Sequence, residues 1–326
     1  MDVTLAVGGL VVGFVVGLTG MGGGALMTPM LVFFFGVSPL AAVSSDLVAS
    51  AVMKPFGSLV HLRRGTVHLG LVGWLMVGSV PSAFAGVLVL KSLGDTDTIQ
   101  NVVRTALGIA LLIAALSLIG KAYLTMAASA RRRRQRDVTT IGAGEVLDTI
   151  RVRPLPTVLV GIVGGLVVGM TSVGSGSLII IALLLLYPVL RPAHLVGTDL
   201  LQAVPLVAAA ALGHVLYGDF RLDVTASLLV GSIPGVVLGA FVSSWAPGRV
   251  VRRALALVLL ASGLKLLDVS TPVTAMALTL ALVGGPLVWA LARRHNGLPA
   301  RRPSRRRAAV AAAASAAPGP ADHQDG

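Results

Sequence analysis

The sequence predicts an all-α fold, a polytopic bundle of transmembrane helices, on three observations. First, 55% of the 326 residues are hydrophobic and only 12% are charged, with a mean hydropathy of +0.90. A soluble domain of this composition would lack the polar residues that its surface needs. Second, the apolar residues are gathered in long segments between short polar loops. Third, two of these segments are interrupted by a glycine-rich break. We therefore expect a multi-pass membrane protein.

Charge and cysteine content exclude several other classes of protein. The formal net charge is +13, but the arginines are concentrated in a central linker and a C-terminal tail that flank membrane segments. This placement follows the positive-inside rule and does not indicate nucleic-acid binding. The chain has no cysteine, which excludes disulfides, thiolate metal sites and thiol catalysis. The N-terminal residues MDVTLAV lack the basic region of a cleavable signal peptide, so we expect them to be retained.

The first half opens with a helix over residues 3–18, a glycine break, and a second helical piece over residues 25–35. Their lengths are about 24 Å and 16 Å, so neither comfortably spans a hydrocarbon core of about 30 Å. The two pieces form either one interrupted crossing or a hairpin of half-helices. Ser38 and Pro39 suit the start of the next helix. Further apolar segments follow at about residues 39–62, 69–90 and 102–124.

A polar linker containing seven arginines between residues 130 and 154 separates two similar halves. The second half has a broken segment at about residues 157–186 and apolar segments at about 195–216, 224–243 and 250–267. An extra apolar stretch at 273–291 has no counterpart. We divide the chain into a first transmembrane repeat (1–128), a basic cytoplasmic linker (129–154), a second repeat (155–268), an extra transmembrane helix (269–292) and a basic disordered tail (293–326).

The alignment of the two halves predicts an internal duplication. Gly17, Gly22 and Gly24 match Gly169, Gly174 and Gly176 at an offset of 152 residues, and VGSVPSAFAG matches VGSIPGVVLG at an offset of 153. Asp46 and His61 match Asp199 and His214 at that second offset. Chance similarity between apolar helices aligns leucines and valines, but it does not readily align Asp, His, Pro and Gly.

The distribution of positive charge favours inverted repeats. If each broken segment crosses the membrane once, the repeats are parallel and the basic tail lies outside the cell. If each returns as a hairpin, the repeats are inverted, and the tail lies inside together with Arg191, Arg249, Arg252 and Arg253. The second arrangement satisfies the positive-inside rule.

The glycine breaks predict a site for an anion. A half-helix that starts inside the membrane presents unpaired N–H groups and the positive end of its dipole, and glycine lets a ligand approach the backbone. Matching broken segments in two halves are typical of a transporter site. The alternative is tight helix packing through small residues. The candidate binding residues are Thr19, Gly20, Gly22, Gly23 and Gly24 in the first break and Thr171, Ser172, Gly174, Ser175 and Gly176 in the second.

Two aspartates are candidates for coupling or gating. Asp46 and Asp199, preceded by Ser45 and Thr198, lie about 10 Å along their helices. Ionisable groups at such a depth are costly and usually functional. The alternative role is structural, in which the aspartate interacts with the helix dipole or holds the broken segment. An anion site beside a carboxylate is reasonable if the carboxylate carries a proton with the substrate.

Three basic residues complete the candidates. His61 and His214 each end a helix, so we expect them near the interface, either capping carbonyl groups or acting in a proton-linked or gating role. Lys54 lies inside its segment, and its counterpart in the second half is Val207. It could pair with Asp46, attract the anion, or extend to the interface.

The motifs as a set resemble the TauE/SafE family of sulfite-exporter-like permeases. The resemblance rests on GLTGMGGGALMTPML, the AAVSSD helix and VGSVPSAFAG, and on their second copies GMTSVGSGS, VGTDLLQAVP and VGSIPGVVLGAF. It implies an integral plasma-membrane transporter of sulfite, sulfonates or related sulfur-containing or carboxylate anions. The arginine-rich linker and the tail fall outside the resemblance.

The sequence thus predicts a secondary transporter of a small anion that works by alternating access, without a cofactor or a metal. No HExxH, Walker lysine loop or CxxC is present, so we do not expect an enzyme. The expected partners are the anion, the lipid bilayer and, as a coupling ion, the proton; a homo-oligomer is compatible with the sequence. The alternatives are a passive anion channel and a non-transporting membrane scaffold or subunit.

Overall fold

The structure is a computed structural model that describes residues 2–19, 23–135, 152–188, 190, 192–242 and 248–295. These residues form helices and no strand. The helices are α1 (Val3–Thr19), α2 (Gly24–Phe35), α3 (Pro39–Arg63), α4 (Leu69–Ser92), α5 (Thr96–Gln135), α6 (Pro154–Thr171), α7 (Leu178–Leu186), α8 (Pro192–Tyr217), α9 (Leu222–Val242), α10 (Gly248–Leu266) and α11 (Thr271–His295). Within the described part of the chain, five stretches are long and apolar enough to cross a membrane, namely residues 69–92, 96–120, 154–171, 194–217 and 222–242. The prediction of an all-α membrane bundle is confirmed.

Most helices lie within a few residues of their predicted positions, but α5 is longer at both ends. It begins at Thr96 because Asp95 caps its first turn, accepting a hydrogen bond from the backbone N–H of Thr98 at 3.2 Å. It ends at Gln135, so the first residues of the predicted linker, ARRRRQ, are helical. Alanine, arginine and glutamine are good helix formers, and nothing in this run stops a helix. The rest of the linker, 136–151, and the tail beyond 295 lie outside the described residues.

Each broken segment is a hairpin whose second piece returns along the first. In the second hairpin, α6 and α7, the Tyr187 hydroxyl after α7 accepts a hydrogen bond from the N–H of Arg153 at 2.9 Å and lies 2.7 Å from the Thr157 hydroxyl. The end of α7 is therefore beside the start of α6. In the first hairpin, α1 and α2, a Cβ atom on Gly8 would lie 2.9 Å from the Phe35 ring.

The expectation that the half-helices are too short to span needs one correction. The second helices of the hairpins are short, with 12 residues in α2 and nine in α7. However, α6 has 18 residues and is long and apolar enough to cross a membrane. The reversal of chain direction therefore depends on the break and on the contacts within the hairpin. It does not depend on the length of the first helix.

The first helix of each hairpin packs against a helix of the other half through glycine. A Cβ atom on Gly13 of α1 would lie 2.5 Å from the Ser232 carbonyl oxygen of α9, and one on Gly161 of α6 would lie 2.5 Å from the Leu75 carbonyl oxygen of α4. Gly17 and Gly169 face the backbones of α9 and α4 in the same way. Small residues thus let these helix pairs approach closely. Both pairs run parallel, since successive glycines of one helix meet successive turns of the other.

Polar contacts between the halves place the loops on two faces. On the first face, Ser38 before α3 donates to Asp219 after α8 at 3.4 Å, and Arg104 of α5 pairs with Asp268 after α10. On the second face, the N–H of His68 before α4 donates to the Thr198 hydroxyl near the start of α8 at 3.0 Å.

It follows that the first hairpin enters from the first face and the second hairpin enters from the second face. This is the arrangement that inverted repeats require, whereas the duplication itself stays a prediction from the sequence.

Large apolar side chains cover much of the outer surface. Phe34 is 82% exposed and Phe241 is 77% exposed, while Leu75, Leu183 and Leu206 are fully buried in the core. Without a hydrocarbon environment, such an apolar surface would favour aggregation. The packing therefore agrees with a protein whose outer surface is covered by lipid.

Candidate functional site

The tips of the two hairpins meet inside the bundle. A Cβ atom on Gly24, at the start of α2, would meet the backbone carbonyl of Ser172 and would lie 2.8 Å from its hydroxyl oxygen. Between the tips is a small cavity of about 10 Å³, lined by Gly24 and Ala25 of the first hairpin and by Ser172 and residues 174–177 of the second. The structure thus brings Gly24 of the first predicted half-site together with Ser172, Gly174, Ser175 and Gly176 of the second.

The meeting point lies near the middle of the membrane. From the tips, α2 returns about 18 Å to one face and α7 returns about 14 Å to the other, at 1.5 Å per residue. Together these lengths match a hydrocarbon core of about 30 Å. The meeting point is therefore roughly equally far from the two faces.

The backbone conformation of the second tip depends on residues with positive φ. Ser172, Gly174 and Gly176 have φ values of 59°, 136° and 90°. Glycine adopts such values without the steric cost that a Cβ atom imposes, whereas a serine there is uncommon. The Gly174 carbonyl accepts hydrogen bonds from the N–H groups of Ser177 and Leu178, at 3.3 Å and 3.0 Å, and so forms the first turn of α7.

Asp46 of α3 joins both hairpins. Its side chain is fully buried, and its Oδ2 atom accepts hydrogen bonds from the Ser172 hydroxyl at 2.6 Å and from the Thr28 hydroxyl of α2 at 3.0 Å. Its Oδ1 atom has no hydrogen-bond partner in the described part of the chain. The structural role weighed for this residue is therefore present, and the remaining oxygen is available for a proton.

Lys54 approaches the second tip from two turns further along α3. Its side chain is only 8% exposed, and its Nζ atom donates a hydrogen bond to the Ser175 hydroxyl at 2.6 Å. Within the described residues Lys54 forms no direct ion pair with Asp46, but the two charges interact electrostatically, as do those of Lys54 and Asp199. The lysine does not extend to the interface. Its ammonium group is instead directed towards a residue that lines the cavity.

His214 is not at the interface, and the prediction that placed it there is wrong. Its ring is fully buried; Nε2 lies 2.8 Å from the Gly169 carbonyl oxygen of α6, and Nδ1 lies 2.8 Å from the Ser44 hydroxyl of α3. A carbonyl oxygen only accepts, so Nε2 carries the hydrogen of this bond. The packing of α3 and α6 over the end of α8 causes the burial, which the position of the residue in the helix does not reveal.

The other candidates for coupling or gating have separate locations. His61 is partly exposed, and its Nδ1 atom lies 3.0 Å from the Thr66 hydroxyl. Thr198 accepts the hydrogen bond from His68, while Asp199 beside it is 2% exposed. Ser45 is fully buried next to Asp46, but none of these four residues lines the cavity.

Two predicted binding threonines form hydrogen bonds within their own helices. The Thr19 hydroxyl donates to the Val15 carbonyl at 2.9 Å, and the Thr171 hydroxyl donates to the Val167 carbonyl at 2.6 Å. Neither lines the cavity, because each hydroxyl is held by the preceding turn. Gly23 lies next to the cavity residue Gly24, near Asp46. The remaining candidates, Gly20 and Gly22, lie outside the described residues.

Sequence reasoning missed several polar residues around the site. Thr28 bonds to Asp46, and Ser44 bonds to His214. Gln202 is fully buried one turn after Asp199, and its Oε1 atom accepts a hydrogen bond from the Ser79 hydroxyl at 3.1 Å. A polar residue in an apolar segment is the signal that could have identified Gln202. No pattern in the sequence indicates that Thr28 and Asp46 are neighbours.

Comparison with known proteins places the chain among membrane transporters. The family model described as "Sulfite exporter TauE/SafE" matches residues 5–266. A "Probable membrane transporter protein YjnA" of Bacillus subtilis is 37% identical over 268 residues, which are 82% of this chain and 100% of the relative. A "Probable membrane transporter protein YdhB" of the same organism is 26% identical over 78% of this chain and 96% of the relative. No solved structure matches the chain.

Proposed function

The chain belongs to the sulfite exporter TauE/SafE family, and from this premise we propose that it is a secondary transporter, and not an enzyme, for a small anion. The proposed substrate is sulfite, an organosulfonate, or a related sulfur-containing or carboxylate anion. The anion binds between the hairpin tips and reaches the two sides of the membrane in turn.

The observation that carries the proposal is the buried ammonium group of Lys54 at the cavity. A buried charge needs stabilisation, and Lys54 contacts only the neutral Ser175 hydroxyl at 2.6 Å, while the carboxylates of Asp199 and Asp46 act on it from beyond ion-pair distance. The serine hydroxyls of the second tip and the amino ends of α2 and α7 add donors of the kind that bind anions. A positive group and several donors around one space favour a compact oxyanion. The tips must move apart to admit it, because the present cavity of about 10 Å³ holds no more than about one water molecule.

The arrangement of the hairpins supports alternating access. They enter from opposite faces, and each is held to a helix of the other half by a glycine-lined interface. A movement of one hairpin relative to the other would open the cavity to one side at a time. Binding sites at the meeting point of broken helices are a recurring feature of secondary transporters.

Transport by purified protein in liposomes is the direct test. We expect saturable uptake of at least one of sulfite, methanesulfonate and acetate. A proton gradient should drive accumulation above the outside concentration. Uptake that only equilibrates the anion would support the passive channel, and the absence of saturable binding and uptake for the whole panel would support the scaffold.

A matched pair of glycine variants locates the site. Gly24→Ala places a methyl group against the Ser172 backbone, so it should separate the tips and abolish uptake. Gly57→Ala is the control, because a Cβ atom there meets nothing within 4 Å. Equal uptake by the two variants in folded protein would place the site elsewhere.

A further inference from the structure

We propose that Ser172 links binding of the anion to protonation of Asp46, so that one proton enters the site with each anion. This inference rests on the proposed function, because it concerns the same cavity. It adds the coupling ion, its stoichiometry and the residue through which the two ligands affect each other.

Ser172 contacts both the cavity and the carboxylate of Asp46. It lines the cavity between the tips, and its hydroxyl donates to Asp46 Oδ2 at 2.6 Å. A serine hydroxyl has a single hydrogen to donate. Ser172 can therefore donate to an anion in the cavity only if it releases the carboxylate.

The backbone of Ser172 is constrained by its packing, so its hydroxyl responds to the anion by rotation. The residue has a φ of 59°, which is uncommon for a residue with a side chain, and Gly24 of the first hairpin packs on its carbonyl group. Unusual backbone conformations of this kind are found where the surrounding structure holds them and often have a role in function. Rotation about χ1 then transfers the hydrogen bond from Asp46 to the anion.

Asp46 loses a hydrogen bond when the Ser172 hydroxyl turns to the anion. Without Ser172, its carboxylate keeps the hydrogen bond from Thr28 and a weaker interaction with the Ser50 hydroxyl, while Oδ1 is buried with no hydrogen-bond partner in the described residues. A charged carboxylate in this state would lie beside a second negative charge in a medium of low dielectric constant. Protonation of Asp46 removes the repulsion. The new O–H can donate to the Ser172 oxygen, and this bond keeps the serine hydrogen directed towards the anion.

The charges around Asp46 agree with one proton for each anion. Lys54 on its own helix interacts electrostatically with both Asp46 and Asp199 of α8, whereas Thr28 of α2 and Ser172 of the second tip are neutral. His214 of α8 contacts Ser44, two residues before Asp46, and does not bond to the carboxylate. A monovalent anion that enters with one proton leaves the net charge of this group unchanged.

The experiment measures binding of methanesulfonate to the purified full chain between pH 5 and pH 8, together with proton uptake in weakly buffered solution. Methanesulfonate keeps one negative charge over this range, so its own titration does not contribute. Where Asp46 is ionised, we expect one proton to be taken up per anion, and Kd to rise about tenfold for each pH unit. Asp46→Asn should bind without proton uptake and with a Kd independent of pH.

Two serine variants distinguish the proposed link between anion binding and protonation of Asp46 from a simple loss of a hydrogen-bond donor in the cavity. Ser172→Gly suits the positive φ and removes the hydroxyl, so proton uptake should fall below half a proton per anion. Ser177→Ala also removes a hydroxyl from the cavity wall, but this hydroxyl makes no bond to Asp46. It should raise Kd by a similar factor at every pH and keep the wild-type proton uptake.

The outcomes are distinguishable. If the wild-type protein binds the anion with no proton uptake, or if Ser172→Gly keeps the wild-type uptake, the link is refuted and the proposed transport function stands. If the wild-type protein binds none of methanesulfonate, sulfite and acetate at any pH, the proposed function and the link are both refuted.

Discussion

At the scale of single residues, the site is asymmetric although the sequence predicts two repeats. Asp46 and Asp199 are equivalent by alignment, but Lys54 has a valine as its counterpart. The sequence identified Lys54 as an unusual residue, yet its partner, Ser175, lies 121 positions away. A contact over that separation depends on how the hairpin tip packs against α3, and local spacing does not contain that information.

We predict that Lys54→Gln weakens anion binding by at least about tenfold, since a loss of about 1.4 kcal/mol corresponds to that factor. Glutamine can still donate to Ser175, so the loss would report the charge and not the hydrogen bond. Titration calorimetry with methanesulfonate measures the effect. Lys91→Gln, on an exposed lysine at the end of α4, is the control, and equal affinities of the two variants would contradict the prediction.

For His214 we predict a loss of stability. His214→Phe leaves the Gly169 carbonyl without its donor, whereas the Ser44 hydroxyl can still donate to the Leu40 carbonyl. A buried polar group left unpaired costs about 1–3 kcal/mol. The melting temperature in detergent should therefore fall by several degrees. His61→Phe, at a partly exposed histidine, should change it much less. A His214→Phe protein as stable as wild type would show that the two hydrogen bonds contribute little.

At the scale of elements, the glycines fall into two groups with different roles. Those of α1, α6 and α9 let helices approach closely, which is the packing role that the sequence offered as the alternative. Those of the second tip, Gly174 and Gly176, provide positive φ values. The sequence predicted the breaks correctly, because a cluster of glycines disfavours helix. It did not assign each glycine to a role, because the role depends on the helix opposite.

The packing role gives a prediction for α1. Gly13→Ala would force its Cβ against the backbone of Ser232, 2.5 Å away, and overpacking of this kind costs about 1–3 kcal/mol. Thermal unfolding in detergent should show a lower midpoint than for wild type. Gly73→Ala in α4 is the control, because its Cβ would meet nothing within 4 Å. A midpoint as high for Gly13→Ala as for Gly73→Ala would contradict the close approach of α1 and α9.

At the scale of the whole molecule, the two faces differ in charge. The second face carries Arg63, Arg64 and Arg153. The first turns of α10, with Arg252 and Arg253, also lie on that side, because α10 ends near Asp268 on the first face. Asp2, Asp219 and Asp268 lie on the first face. The positive-inside rule then assigns the second face to the cytoplasm.

Because the chain has no cysteine, this topology can be tested with single cysteines. Asp95→Cys, in the exposed loop between α4 and α5, should react with a membrane-impermeant maleimide on intact cells. Arg64→Cys, at the end of α3, should react only after permeabilisation. The reverse pattern would invert the orientation, and reaction of both on intact cells would contradict the assignment of the two loops to opposite faces.

The sequence by itself determined the membrane class, the helices, the two breaks and the presence of buried ionisable residues. All of these follow from local composition, because helix propensity and hydropathy act over a few turns. Only the tertiary structure decided that the broken segments are hairpins, that Ser172 and Thr28 share the carboxylate of Asp46, and that His214 is buried. These features depend on contacts between residues far apart in the chain, where hydrogen-bond geometry and close packing select one partner among many of similar chemistry.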